Sequence, residues 1–138
     1  MKRRSRNTLA ELPLFAQCSR KELVRIARLG AQVDVRAGEI ICREGNPGRD
    51  CYVIVEGRAT ASIDGRTVAT LGRGAVLGEI ALLDGGPRTA TVVADTPIRL
   101  YVFDPSEFES MLAHVPSVAR KVMATLSTRL RTVEAGAR

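Results

Sequence analysis

The chain has 138 residues, 45% of them hydrophobic, and its 21 lysines and arginines exceed 15 aspartates and glutamates to give a formal charge of +6. That length and apolar content suit one domain with its own core, and no segment approaches the roughly 20 apolar residues of a membrane span. Cys18, Cys42 and Cys51 are an odd number without C-x-x-C spacing, and one histidine accompanies them, so neither a disulfide framework nor a zinc site follows. They read as reduced thiols of a cytoplasmic protein.

Residues 1–7 hold Lys2, Arg3, Arg4 and Arg6 and read as a disordered basic tail, with the domain occupying residues 8–138. The rest of the positive charge is spread along the chain without basic and aromatic residues interleaved, so charge alone does not indicate nucleic-acid binding. Glu11, Pro13, Gln17 and Ser19 interrupt any apolar run that a signal peptide would need. A short helical stretch is expected from Thr8 to Pro13, with Leu12, Leu14 and Phe15 turned to the body. Ser19 with Glu22 three residues on forms a capping box for a helix over Arg20–Leu29, which presents Leu23, Ile26 and Ala27 on one face and stops at Gly30.

From Gln32 the apolar period changes from helical to two. Val33 and Val35, Ile41, Tyr52–Val55, Ala59 to Ile63, Arg66–Leu71, Val92–Val93 and Ile98–Phe103 read as short strands between glycine turns. Asp64-Gly65 suits a two-residue hairpin, because a type I′ turn needs positive φ at both central residues. Short strands at this spacing argue for a sandwich or jelly roll, and the fold expected for the chain is a β-roll or jelly roll of about eight short antiparallel strands. After Asp104 the period is helical again. Pro105 suits a first helical turn capped by Asp104, with Phe108, Met111 and Leu112 inward. Pro116 restarts a longer helix with Val118, Val122, Leu126, Leu130 and Val133 on one stripe. These C-terminal helices occupy residues 105–134. Two uses of the stripe stay open, packing on the chain's own barrel or pairing with the same helix of a second copy.

The chemistry concentrates between Gly78 and Val92, which read G-E-I-A-L-L-D-G-G-P-R-T-A-T-V. Glu79–Leu83 can form a brief helix whose first N–H groups favour an anion. The turn Asp84–Pro87 swings Arg88 back over that helix start, where its guanidinium can fork two hydrogen bonds onto phosphate oxygens. Glu79 is then free to accept from a neutral donor such as a sugar hydroxyl. The constellation fits a small molecule bearing one phosphate and a ribose.

This stretch resembles the phosphate-binding cassette of the cyclic nucleotide-binding domain family, F-G-E-L/I-A-L-L, a variable turn, then P-R-S/T/A-A-T/S-V, with Leu77 where the family has phenylalanine. The resemblance runs from about Leu12 to Leu130 and is similar to the sensor domain of the catabolite activator protein. It implies a 3′,5′-cyclic purine nucleotide as ligand. Arg88 would pair with its phosphate and Glu79 with the ribose 2′-hydroxyl. Gly78 would admit close backbone approach, with Ile80 and Ala81 in the same cassette helix. Thr89 and Ala90 would donate backbone N–H groups, and Ala61, Val68 and Val92 would line the purine. Arg129 and Leu130 align with positions that approach the base. The resemblance favours cAMP, with cGMP the alternative because Thr89 can bond a guanine amino group. Where the catabolite activator contacts adenine through a Thr-Ser pair, this chain has Val133-Glu134, which counts against those cross-subunit bonds.

The resemblance therefore implies a non-enzymatic sensor with no catalytic residues, no metal and no cofactor. Its expected partners are the cyclic nucleotide, a second copy through helix 116–134, and an effector protein of unknown identity. With the chain ending at Arg138, no DNA-binding domain is expected. A metal-dependent cupin needs clustered histidines, and cyclase or phosphodiesterase chemistry needs metal-binding clusters; neither pattern is present. The rival from another class is a nonbinding interaction or dimerisation module that keeps the fold.

Overall fold

A computed structural model of the chain describes residues 9–78 and 86–136, with backbone alone for residues 129, 130 and 132–136. After a 3-10 turn over Pro13–Phe15 comes helix α1 (Arg20–Leu29). Eight strands follow: β1 (Ala31–Val35), β2 (Ile40–Cys42), β3 (Cys51–Glu56), β4 (Ala59–Ile63), β5 (Arg66–Leu71), β6 (Val76–Leu77), β7 (Thr91–Ala94) and β8 (Ile98–Phe103). Helices α2 (Pro105–His114) and α3 (Pro116–Gly136) close the described chain.

The strands form two four-stranded antiparallel sheets in the orders β1-β8-β3-β6 and β2-β7-β4-β5. This is the expected jelly roll, with helical elements on both sides of it in sequence. The central strands of the first sheet, β3 and β8, are buried on both faces, whereas the edge strand β1 is largely exposed, and strand alternation explains how both faces are covered. From β3 and β8, Cys51, Val53, Tyr101 and Phe103 join a core with Leu12, Phe15, Ile26, Phe108, Met111, Val118 and Val122. Their alternate neighbours Ile54, Ile98 and Leu100 face the second sheet and pack with Cys42, Ala59, Ala61, Leu77, Val92 and Ala94. One core thus joins helices to sheet, and the other fills the roll.

Local signals explain most element boundaries. Ser19 and Glu22 make the expected reciprocal capping box, and Asp104 with Glu107 makes a second one at α2. The hairpin between β4 and β5 places Asp64 at φ 52° and Gly65 at φ 77°, as a type I′ turn requires. Three details differ from the sequence reading. Pro13 opens a 3-10 turn rather than merely ending a helix, because its fixed φ suits a first helical turn. Strand β6 was not expected, since two residues are too short to show a period. The last helix continues past residue 134 to Gly136, and Ala135 is a good helix former.

The α3 stripe divides along its length. Val118 and Val122 are buried in the helical core and Leu126 packs against it, so this half of the helix packs on the chain's own body. Met123, 58% exposed, lies outside that contact. No helix of the described residues is long and apolar enough to cross a membrane.

Candidate functional site

Arg88 reaches the site through two backbone anchors. Its N–H donates to Asn46 O at 3.0 Å, and its carbonyl accepts from Gly45 N–H at 2.9 Å. These bonds tie the approach to β7 to the loop between β2 and β3. The same loop is fastened again where Glu44 N–H donates to Thr91 Oγ1 at 3.0 Å, and Asp64 N–H donates to Glu44 Oε1 at 3.0 Å.

The Arg88 side chain is only 7% exposed and is the one buried charged residue of the described core. Its Nη2 donates to Asp50 O at 2.9 Å, and its Nη1 reaches Gly78 O at 3.4 Å. The guanidinium carbon lies 5.5 Å from the centre of the Tyr52 ring, within cation–π range. Among the described residues the ion pairs are Arg73 with Glu11 and Arg99 with Asp34, so no described carboxylate neutralises Arg88. Among the described residues, carbonyl dipoles and a ring face hold the buried cation in place without cancelling its charge. Burying a charge is costly unless it is paired, so the arrangement favours an incoming anion.

Gly78 follows β6 with φ +84°, in the left-handed region that glycine adopts without penalty. A Cβ there would also fall 2.7 Å from Asp50 O and against Arg88 Nη1. The position therefore demands glycine both for its conformation and for close approach of the arginine. Burial raises the Tyr52 pKa; nearby Cys42 and Asp50 add to the rise, while Arg88 opposes it. The ring beside the guanidinium is therefore a neutral phenol at physiological pH.

Several predicted site residues come together around this point. Gly78 touches Arg88, and Thr89 and Ala90 lie on the bend leading from Arg88 into β7. Ala61 and Val92 are direct cross-strand partners on β4 and β7, buried in the roll interior. Val68 stands apart from that core. Ala61 pairs with Ala69 while Ser62 pairs with Thr67, which leaves Val68 as the extra residue of a β-bulge, 54% exposed. Glu79, Ile80 and Ala81 lie outside the described residues, as do the side chains of Arg129 and Leu130.

Asn46, Gly48, Asp50 and Tyr52 belong to the site and were not read from the sequence as site residues. The 45–48 segment reads as a plain turn, and Tyr52 reads as a strand residue. Only the β2–β3 loop's placement against Arg88 reveals them. Among the described residues no group of three or more histidine, cysteine, aspartate or glutamate side chains could hold a metal.

A jelly roll with helical flanks and a buried arginine held against the carbonyls of Asp50 and Gly78 defines the class. Residues 32–115 match the family model of the cyclic nucleotide-binding domain. A cyclic nucleotide-gated potassium channel of Rhizobium etli is 36% identical over 121 residues, covering 88% of this chain and 34% of the channel. A cAMP-dependent protein kinase regulatory subunit of Emericella nidulans is 34% identical over 115 residues, covering 82% of this chain and 28% of that protein. The chain thus spans about a third of such relatives. Among solved structures, the catabolite activator protein of Thermus thermophilus superposes with a TM-score of 0.81 at 28% identity, over 90% of this chain and 61% of that one. A cAMP-bound PfPKA-R shares the fold, with a TM-score of 0.82 at 23% identity, over 96% of this chain and 47% of that one. The chain belongs to the cyclic nucleotide-binding domain family.

Proposed function

We propose that this domain is a non-enzymatic, cytoplasmic sensor that binds cAMP in preference to cGMP and passes the binding event to its C-terminal helices. The observation that carries the proposal is Arg88, buried and without a described carboxylate partner, with its guanidinium already aimed by Asp50 O and Gly78 O. The cyclic phosphate supplies the missing anion. Glu79 accepts from the ribose 2′-hydroxyl, and Thr89 and Ala90 donate backbone N–H groups beside the phosphate. Ala61, Val92 and the exposed Val68 offer apolar surface to the purine, with Arg129 and Leu130 approaching it from α3. No cofactor or metal is required for this role.

Ligand shifts helix arrangement only through differential affinity for two arrangements. Here that difference comes from the cassette moving toward the phosphate while α2 and α3 reposition over the base. The output lies outside the domain, in an effector protein or in further segments like those that make the relatives longer. The domain also pairs with a second copy through helix 116–134, on the surface where Met123 is exposed. Sedimentation of the wild type and of Met123→Lys tests that pairing: a dimer that dissociates on substitution is expected, and a monomeric wild type contradicts it.

Calorimetric titration with cAMP, cGMP and adenosine tests the ligand assignment. Tightest binding is expected for cAMP and weakest for adenosine, which lacks the phosphate. The absence of heat with either cyclic nucleotide would favour the nonbinding interaction module.

A further inference from the structure

We propose that Gly48 is a positioning residue for the phosphate-binding arginine, and that the loop of residues 43–50 is a cradle setting the guanidinium's aim before any nucleotide arrives. The inference rests on reading Arg88 as the phosphate's partner. It adds a specific cause for that side chain's geometry.

Gly48 is not in the left-handed region; its φ is absent from the positive values that mark Gly45 and Gly78. The backbone there does not itself require glycine. What requires it is the neighbour. A Cβ at position 48 would fall against Arg88 Nε and within 2.9 Å of both Cζ and Nη2. Real Cβ atoms do not approach heavy atoms that closely, so either the loop or the guanidinium must give way.

The loop is the less free of the two. Glu44 is held by Thr91 and Asp64, and Gly45 and Asn46 are held by the backbone of Arg88 itself. Asp50 at the loop's far end supplies the carbonyl that receives Arg88 Nη2, and Tyr52 just beyond it supplies the ring beside Cζ. A methyl at position 48 therefore pushes the guanidinium off Asp50 O and off its line to the phosphate. The flat surface of glycine lets the planar group lie against the loop. Alanine at a position without positive φ ordinarily stabilises a fold slightly, because it narrows the unfolded ensemble. Stability and affinity should thus move in different directions at this one residue.

The test compares wild type and Gly48→Ala by calorimetric titration with cAMP, together with thermal melts of the ligand-free proteins. The expected result is a Kd raised roughly 10- to 100-fold, the effect of losing one hydrogen bond to a charged group, with a melting temperature unchanged or higher. An unchanged Kd in Gly48→Ala, beside a wild type that binds, would overturn the cradle and leave the phosphate assignment standing. A wild type that binds no cAMP would overturn both.

The same substitution in an Arg88→Lys background separates positioning from general disturbance. Lysine has no Nε and no fork to displace, so Gly48→Ala should then shift Kd by no more than about twofold. An equal loss in both backgrounds would show that Gly48 does not act through the guanidinium. A further readout needs only the ligand-free wild type. The Arg88 Nε–H resonance should exchange slowly and be displaced by the Tyr52 ring, and a resonance at the free-arginine position would overturn the proposal.

Discussion

At Arg88 the protein keeps a permanent cation out of water, and its partners among the described residues orient it without neutralising it. Asp50 takes part through its main-chain carbonyl, so the identity of its side chain should matter little to aim. Asp50→Ala is accordingly expected to bind cAMP nearly as the wild type does, whereas substitutions that move the carbonyl itself should not; titration of the variant checks this. The chain's two tyrosines offer a second test. Burial raises the pKa of both Tyr52 and Tyr101, the latter also donating to Ala27 O at 2.5 Å. Absorbance titration of the phenols should show neither ionising at the ordinary value near 10. The sign for stability follows from linkage: above about pH 10 the unfolded chain releases phenolic protons that the native state retains. This contribution is complete below the unfolded pKa and is lost as pH rises through the folded values. Melting points that stayed flat through that range would contradict the burial of these phenols.

Arg88 could be singled out in the sequence because the pattern around it is local: a glycine, an acid, a glycine turn and an arginine at fixed spacing. Its burial against the carbonyls of Asp50 and Gly78 could not, since those partners come from elsewhere in the fold. Gly48 and Tyr52 were not legible, because what sets them apart is contact with Arg88, a side chain some forty residues away in the segment before β7. A turn glycine that serves a neighbour looks in sequence like one that serves its own φ.

Among the elements, the helices are set by caps and stripes that can be read directly. Removing the Ser19 side chain, which accepts from Glu22 N–H at 3.1 Å, should cost about 1 kcal/mol of unfolding free energy, measured by denaturant melts of Ser19→Ala. Phe108 is fully buried where α2 meets the sheet, so Phe108→Ala should cost about 3–5 kcal/mol and threaten folding. Strands were legible where alternation or a hairpin signal marked them, as at Asp64-Gly65. They were hidden where irregularity intervened. Strand β6 is two residues long, and the bulge that turns Val68 outward depends on pairing with β4, which periodicity does not report.

Across the whole molecule, the first sheet is shared by two cores. Ile54 and Leu100 pack into the roll while Val53 and Tyr101, their neighbours on the same strands, pack against the helices. A shift in the loop that precedes β3 therefore has a short mechanical path to α2 and α3, through side chains on opposite faces of one sheet. Saturating cAMP is expected to change amide hydrogen exchange in residues 117–131, far from the phosphate in sequence. Exchange there that is identical with and without ligand would remove the proposed coupling while leaving binding intact.

The central claim is that a buried, carbonyl-held guanidinium waits for a phosphate. Its most direct measurement is the cAMP affinity of Arg88→Ala against wild type, with far-UV circular dichroism to verify that both are folded. Removing one partner of a buried charge pair costs on the order of 3–5 kcal/mol, so the account predicts a loss of about a hundredfold or more. A folded Arg88→Ala that binds cAMP as tightly as the wild type would contradict it.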